Sequence, residues 1–245
     1  VEETKCRLVE GGAVATILQL LAHPEAPLDL IGPACGVVRS VTTADDERPP
    51  SSKAFMHARV LAKSHAAIRV LLGVLRRVPV AEQPDTAVRV LNTVRTVAAN
   101  EEICREFTDD GGVRACLAVL RECGAHREVC RACLGALRQL AHSDTVKRLL
   151  AGSGAIEEAM RAIELHAGSE EVAEVALGLL GNMFLRHPEV RLMTARNPEL
   201  RPAYLDRGAE ALLRAAKVAC PSSCKDVGAA ALRDLGLEHY NDGEF

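Results

Sequence analysis

A short helical phrase recurs five times in this chain, and its spacing limits the possible folds more than any other sequence feature. One variable letter of each copy serves as a marker position, and successive markers are 56, 43, 43 and 52 residues apart. A turn of small residues precedes each marker by 26 to 30 residues. The markers are Ser40, Thr96, Gln139, Asn182 and Asp234, and the turns open near Gly12, Ala66, Gly112, Gly154 and Gly208. The sequence therefore contains an internal repeat with a basic period of about 43 residues.

Variation in length is confined to the stretch between one marker and the next turn. That stretch has 26, 16, 15 and 26 residues, so the first and fourth units carry extra segments. These segments fall at 45–53 and 195–202, where proline and charged residues predict loops. We expect a single repeat array over 1–245. Because its first residues read as the tail of an earlier element, we also expect that an N-terminal part of the parent protein precedes it.

Each unit reads as two substantial helices that follow the turn. Val113, Leu117 and Leu120 lie at helical spacing, and Leu134, Leu137 and Leu140 form a similar stripe in the phrase-bearing helix. The chain is 48% hydrophobic but only 2% aromatic, which favours closely packed aliphatic helices over sheets. A helical pair of this size cannot bury its apolar face alone, so successive pairs must stack. The prediction is an all-α fold, an α-solenoid of about five units.

The repeat length and motifs resemble those of armadillo repeats. A period of 43 residues suits the HEAT and armadillo class and is too long for tetratricopeptide or ankyrin units. The segments 8–21, 107–120 and 149–160 are similar to the family's end of a third helix, glycine turn and start of a second helix. The recurring phrase is similar to its third-helix motif. The resemblance implies a non-enzymatic scaffold that binds protein partners, as extended peptides or helices, on the concave third-helix face.

In armadillo proteins that bind extended peptides, the marker is typically Asn, and Trp stands one turn earlier. Here the marker is Asn only at Asn182, and the chain has no Trp, so a nuclear-import type of peptide receptor is disfavoured. We expect the markers to be exposed and free to vary. Arginines that precede four markers are expected to form local pairs. The polar residues assigned to the partner-binding face are Asn92, Thr96, Asn100, Gln139, His142, Asn182 and Arg186; the alternative is an ordinary solvated face.

The first inserted segment is a second candidate contact surface. After the loop, Phe55 and Met56 begin an amphipathic helix, and insertions in solenoids often lie on one face and touch partners. The alternative is a longer connection without a binding role. A chain whose insertions are buried against neighbours would instead be a permanent structural subunit of a large cytoskeletal or ciliary assembly, and this second function stays open.

Two cysteine clusters are candidate sites of chemistry. Cys123, His126, Cys130 and Cys133 form a candidate zinc set, but the repeat places the last two where other units pack small apolar residues. Cys220 and Cys224 are a candidate disulfide pair. An intracellular location disfavours this bond, because thiols are kept reduced there. No catalytic motif is present, so we expect neither an enzyme nor a metal or cofactor.

Charge and hydropathy limit the partners and the compartment. The net charge is −3, and acidic and basic residues are well mixed along the chain. Because aromatic residues for base stacking are also scarce, no nucleic-acid partner is expected. No apolar run reaches the length of a membrane span. The expected location is intracellular, in the cytoplasm first, with the nucleus or a cilium as alternatives. A homo-oligomer is not implied.

Overall fold

The computed structural model describes residues 1–44, 52–185, 209–219, 221–234 and 236–241. Throughout these residues the secondary structure is helical and contains no strand, which confirms the predicted all-α solenoid class. The chain divides into two compact bodies, Val1–Val119 and Leu120–Phe245. The segment 195–202, residues 45–51 of the first insertion and the turn at Gly208 lie outside the described residues.

The first body contains seven complete helices and the start of an eighth within its described residues. They are α1 (Glu2–Glu10), α2 (Ala13–Ala22), α3 (Leu28–Thr42), α4 (Ala54–His65), α5 (Ala67–Arg77), α6 (Pro84–Val97), α7 (Glu101–Asp109) and α8 (Gly112–Cys123). Helix α2 packs on α5, and α3 packs on α6, so equivalent helices of successive units lie side by side. Their aliphatic side chains form a buried core, as the repeat requires.

Helices of the second body repeat this arrangement. The described ones that lie wholly within it are α9 (Arg127–Leu140), α10 (Asp144–Ser153), α11 (Ala155–Leu165), α12 (Glu170–Leu185), α13 (Ala209–Ala219) and α14 (Pro221–Asp234). Helix α12 packs on both α9 and α14, and α11 packs on α13. The phrase-bearing helices are therefore neighbours here too. We refer to α3, α6, α9, α12 and α14 as the third helices.

Among the described residues, a separate helix precedes the turn in four units. In the first, third and fourth units it corrects the predicted end of a third helix, whereas in the second unit the sequence already predicts a helix after the insertion. The second unit ends with α6 at Val97, and the helix that precedes the third turn begins at Glu101. The side chain of Asn100 starts it, because its Oδ1 accepts a hydrogen bond of 2.9 Å from the backbone N–H of Ile103. Glu101 and Glu102 in the first turn favour the same start through the helix dipole.

The turns use a left-handed backbone, which explains why the repeat opens with small residues. The φ angle is +77° at Gly12, +84° at Gly111 and +89° at Gly154. In the third unit the left-handed residue is thus Gly111, one residue before the predicted Gly112. The second unit has Ala66 at this place, with φ of +49°. A left-handed alanine is disfavoured because its Cβ approaches the following carbonyl oxygen.

Glycine at the turn also makes room for an arginine from the unit before. Arg76 Nη2 donates to the carbonyl oxygen of Asp110 at 2.6 Å, and Arg121 Nη2 donates to that of Ser153 at 3.2 Å. A Cβ atom at the following glycine would stand 3.1 Å or 2.9 Å from these nitrogens. Both arginines come ten residues after their own turn, where the first unit has Ala22. Because no arginine enters there, the second turn tolerates a Cβ.

Replacing Ala66 by glycine should stabilise the protein. Relief of the left-handed strain, about 1–2 kcal/mol, exceeds the entropy that glycine loses on folding, about 0.5–1 kcal/mol. We expect a gain of about 1 kcal/mol in the free energy of unfolding, measured by urea unfolding with circular dichroism. The matched variant Gly12→Ala should lose about 1 kcal/mol. A loss of stability in Ala66→Gly would contradict the strain.

Candidate interaction surface of the third helices

Polar side chains join α3 to α6 in the first body. The hydroxyl of Thr42 donates to Oγ1 of Thr96 at 2.9 Å, and the hydroxyl of Thr93 makes a longer contact, 3.4 Å, with the carbonyl oxygen of Cys35. Arg89 lies close to Gly32, where an added Cβ would stand 3.1 Å from its Cδ. The small residue thus lets α6 approach α3, and the hydroxyl groups are satisfied between them.

The same construction joins α9 to α12 in the second body. Asn182 Nδ2 donates to the carbonyl oxygen of Arg138 at 3.2 Å. The guanidinium of Arg138 crosses Gly178, where a Cβ would stand 2.5 Å from Cζ, and it lies 3.8 Å from the carboxylate of Glu174. Arg138 therefore makes the local pair predicted for the arginines that precede the markers.

These contacts correct the expectation that marker residues are exposed and free to vary. Only Ser40 is exposed among the markers whose side chains the structure describes, and its hydroxyl donates to Val37 within α3. Thr96, Gln139 and Asn182 are half-buried. For Thr96 and Asn182 the expectation is wrong, because their polar groups bond the neighbouring third helix. The side chain of Asp234 lies outside the described residues.

The remaining predicted face residues have different surroundings. Asn100 uses its side-chain oxygen as the helix cap described above. His142 is exposed, and its Nδ1 lies 3.0 Å from the carbonyl oxygen of Gln139. Asn92 is half-buried on α6, and its amide makes no hydrogen bond to any residue that the structure describes. Arg186 lies outside the described residues. Partner binding by this set stays a prediction.

A basic cleft in the first body is the feature that the sequence analysis missed. It has a volume of about 520 Å³ and is lined by Val1, Lys5, Gly36, Arg39, Ser40, Thr43 and Arg89. Lys5 is only 7% exposed, and its Nζ donates to the carbonyl oxygen of Thr43 at 3.0 Å. A sequence signal existed, since Arg89 precedes the marker Thr96 by seven residues, two turns along the same side of the helix.

Helix α4, which follows the first insertion, turns apolar side chains outward. Phe55, Met56 and Val60 are 53%, 56% and 40% exposed. The opposite side of the helix is buried through Leu61 and His57, whose Nδ1 lies 3.0 Å from the carbonyl oxygen of Val41. The first insertion therefore leads into an exposed apolar ridge.

Burial dominates the environment of the cysteine cluster. Cys130 and Cys133 are buried in α9, and burial raises the pKa of the Cys130 thiol to about 11. Cys123 is half-buried and His126 is exposed at the start of α9. Within the described residues, no three His, Cys, Asp or Glu side chains form a group suited to a metal ion. Cys220 and the side chain of Cys224 lie outside the described residues.

Among the described helices, none combines the length and the apolar composition that crossing a membrane requires.

Stacked three-helix units joined through their third helices define a helical-repeat protein, and sequence comparison gives the class more closely. No family model matches the chain. Human armadillo repeat-containing protein 6 is 26% identical over 196 residues, which is 77% of this chain and 39% of the relative. The protein of the same name from Pongo abelii aligns with the same identity and coverage. These relatives confirm the resemblance to the armadillo-repeat family.

A third relative and one solved structure also align with the chain. The Drosophila melanogaster homolog of armadillo repeat-containing protein 6 is 26% identical over 160 residues, 65% of this chain and 33% of that protein. The chain thus spans about two fifths or less of the relatives that it matches. The sequence of segments 44–72, 97–113 and 206–236 predicts that the chain corresponds to the C-terminal half of armadillo repeat-containing protein 6. This placement stays a prediction. A solved structure from a study of a phosphorylation switch between cadherin and beta-catenin aligns with 97% of this chain and 55% of its own, at 14% identity and a TM-score of 0.40.

Proposed function

We propose that this protein is a non-enzymatic scaffold that binds protein partners on the exposed surface of its third helices. The similarity to armadillo repeat-containing protein 6 supports the general class, since helical-repeat stacks present extended surfaces for partners. The sequence supplies no set of nucleophile, base and oxyanion donors, which supports a binding role without chemistry.

The observation that carries the proposal is the amide of Asn92 on α6. The hydroxyl groups of its neighbours Thr93 and Thr96 already form hydrogen bonds with α3 or within α6. Asn92 stands one turn before Thr96, is half-buried, and has no hydrogen-bond partner among the described residues. An amide both donates and accepts, as a peptide backbone does. A half-buried amide of this kind is suited to bind the backbone of an extended partner segment.

Alanine replacement on the third helices tests the proposal. Tagged protein would be cross-linked in native cells, and the captured proteins would be quantified by mass spectrometry. We expect Asn92→Ala to lower recovery of specific partners about fivefold or more, because alanine cannot form the hydrogen bonds that the Asn92 amide makes to a bound partner. His142→Ala extends the test to the second body, and urea unfolding should show that neither change destabilises the fold.

Gln19→Ala on α2 is the matched control, because this exposed amide lies on a second helix. The control should recover the same partners as the original chain. Thr96 and Asn182 are poor test positions, since their replacement breaks contacts between helices. Equal recovery from Asn92→Ala, His142→Ala and the control would refute binding on the third helices.

The exposed ridge of Phe55, Met56 and Val60 favours a second candidate function, a permanent subunit of a large assembly. Isolated exposed apolar residues are common, but three neighbours on one helix face suit a covered interface. In that case, size-exclusion of native extract should place the protein in a stable high-mass pool, and Phe55→Ser with Met56→Ser should release it. An exchangeable low-mass pool, unchanged by these substitutions, would favour the scaffold.

A further inference from the structure

We infer that residues 236–240 form a strap that covers a charged face of α13 and keeps other helices from packing there. This inference concerns the second body and goes beyond the proposed binding on the third helices. It starts from three residues of α13, Glu210, Arg214 and Lys217, which we call the charged stripe.

The charged stripe occupies positions that are apolar and buried in the other units. The helices α2, α5, α8, α11 and α13 are the second helices of their units, and their second, sixth and ninth residues lie on one side. In α13 these residues are Glu210, Arg214 and Lys217. In the other four helices they are Val14, Leu18 and Leu21; Ile68, Leu72 and Leu75; Val113, Leu117 and Leu120; and Ile156, Met160 and Ile163, all buried. The last unit therefore replaces an aliphatic stripe with charge.

Helix α2 shows which way this stripe faces. Val14, Leu18 and Leu21 are its buried residues, and it packs on α3 of its own unit and on α5 of the next unit. The stripe thus faces the third helix of the same unit and the side on which a following unit packs. Burial of charged groups against an aliphatic helix is costly. The charged stripe therefore makes this side of α13 unsuitable for such packing.

A glycine turn brings the strap back from the end of α14. Gly236 has a φ angle of +70°. Its N–H donates to the carbonyl oxygen of Arg233 at 2.9 Å, and the N–H of Leu237 donates to that of Leu232 at 3.1 Å. These two hydrogen bonds form a Schellman motif, which ends a helix and turns the chain away from its axis.

Arg214 and Lys217 hold the strap through its main chain. Arg214 Nη2 donates to the carbonyl oxygen of Glu238 and Nη1 to that of His239, both at 2.8 Å. Lys217 Nζ donates to the carbonyl oxygen of Tyr240. Hydrogen bonds from charged donors are about twice as strong as neutral ones. Because all three acceptors are main-chain atoms, docking does not depend on the side chains of residues 238–240.

The charged stripe is positioned to receive the strap. Lys217 is 8% exposed, and its aliphatic stem crosses α14 at Gly228, where an added Cβ would overlap its Cγ. Glu210 Oε1 accepts a hydrogen bond of 2.9 Å from Arg214 Nε. These contacts direct both cationic groups at the strap, whose carbonyl oxygens satisfy them. A charged stripe under a main-chain cover gives this unit the polar outer face that the end of a helical stack requires.

A single tryptophan in the strap tests whether it is docked. The chain has no Trp, so Tyr240→Trp places a unique fluorophore at a half-buried position and keeps the carbonyl that Lys217 binds. Acrylamide quenching of the purified full chain measures its exposure. In this background, Arg214→Ser with Lys217→Ser removes the donors, and we expect the quenching constant to rise about threefold. The matched control Arg114→Ser with Arg127→Ser removes two exposed cations elsewhere and should leave it unchanged.

Two changes in the strap itself leave α13 intact. Gly236→Ala should raise the quenching constant about twofold, because alanine is disfavoured at a left-handed φ angle and the turn into the strap is weakened. Glu238→Ala removes an exposed side chain but keeps the main-chain carbonyl, so it should leave quenching unchanged. Circular dichroism should show the same helical content in both variants.

An apolar stripe tests what the strap prevents. Glu210→Val with Arg214→Leu and Lys217→Leu recreates the stripe of α2 and removes the donors that hold the strap. We expect quenching to rise and the mass from light scattering to about double with increasing concentration, because an open apolar face associates. Arg214→Ser with Lys217→Ser should release the strap without association. Lys217→Leu with Gly236→Ala, which changes α13 at one position, should associate more weakly and serves if the triple variant unfolds.

Three results would overturn the inference. One is an unchanged quenching constant in both Arg214→Ser with Lys217→Ser and Gly236→Ala. Another is an equal rise in the control variant on α8 and α9. The third is a constant mass at all concentrations in the variants that open an apolar face. None of these measurements involves Asn92, so the strap and the proposed binding on the third helices fail separately.

Discussion

Raising the pH from 8 to 10.5 should strongly destabilise this protein, because buried thiols resist ionisation. Burial raises the pKa of Cys35, Cys104 and Cys130 to about 11 each, and that of Cys116 to about 12. In the unfolded chain these thiols ionise near their ordinary pKa, so above it the unfolded state binds fewer protons than the folded state. Stability is therefore complete below about pH 8.5 and falls as pH rises toward 11.

The expected loss is about 1 kcal/mol per thiol between pH 9 and pH 10, or about 4 kcal/mol together. This is a large part of the 5–15 kcal/mol that stabilises an ordinary domain. Three of the four thiols lie in the first body, so about three quarters of the loss should fall there. Urea unfolding between pH 7.5 and pH 10.5 measures the slope, and hydrogen exchange assigns it to each body.

Cys116→Ala is the control for the alkaline transition. It removes the thiol from a fully buried position, so its stability at pH 7 should fall slightly while its slope above pH 9 becomes shallower by about a quarter. Lysines and tyrosines ionise in the same range, but they are common to both proteins and cancel in the comparison. An unchanged slope in Cys116→Ala would show that burial of this thiol does not govern the transition.

The second large effect is expected at Phe107. Its side chain is fully buried, and it is one of four phenylalanines in a chain without Trp. Phe107→Ala should lower the free energy of unfolding by about 3–5 kcal/mol, through lost burial and the cavity left behind. Urea unfolding followed by circular dichroism measures this loss.

Gly112 makes the prediction at Phe107 specific. A Cβ at this glycine would stand 2.1–2.5 Å from three ring atoms of Phe107, so Gly112→Ala should cost about 1–3 kcal/mol by overpacking. Leucine is smaller than phenylalanine and has no ring, so Phe107→Leu should relieve that clash. The double variant Phe107→Leu with Gly112→Ala should therefore be less destabilised than the sum of the two single losses. Gly73→Ala on α5 is the control: its Cβ would meet nothing within 4 Å, and it should gain about 0.5–1 kcal/mol. Additive losses at 107 and 112 would contradict direct contact.

Some features of this protein were determined by the sequence alone. The spacing of the phrase and of the turns predicted an all-helical stack, because apolar periodicity and left-handed turn residues act locally and leave a record in every unit. The short helix before the third turn was not predicted, because a single residue, Asn100, converts a connection into a helix start there. Capping depends on one side chain and is weakly visible in a repeat pattern.

The use of the marker residues was decided only by the tertiary structure. Whether Thr96 and Asn182 face a partner or the neighbouring helix depends on how closely third helices approach, which Gly32 and Gly178 allow. The basic cleft depends in the same way on packing, since it combines residues of α1, α3 and α6 that are up to 84 positions apart. Sequence patterns record which face of a helix is buried, whereas contacts between third helices arise only when neighbouring units pack together.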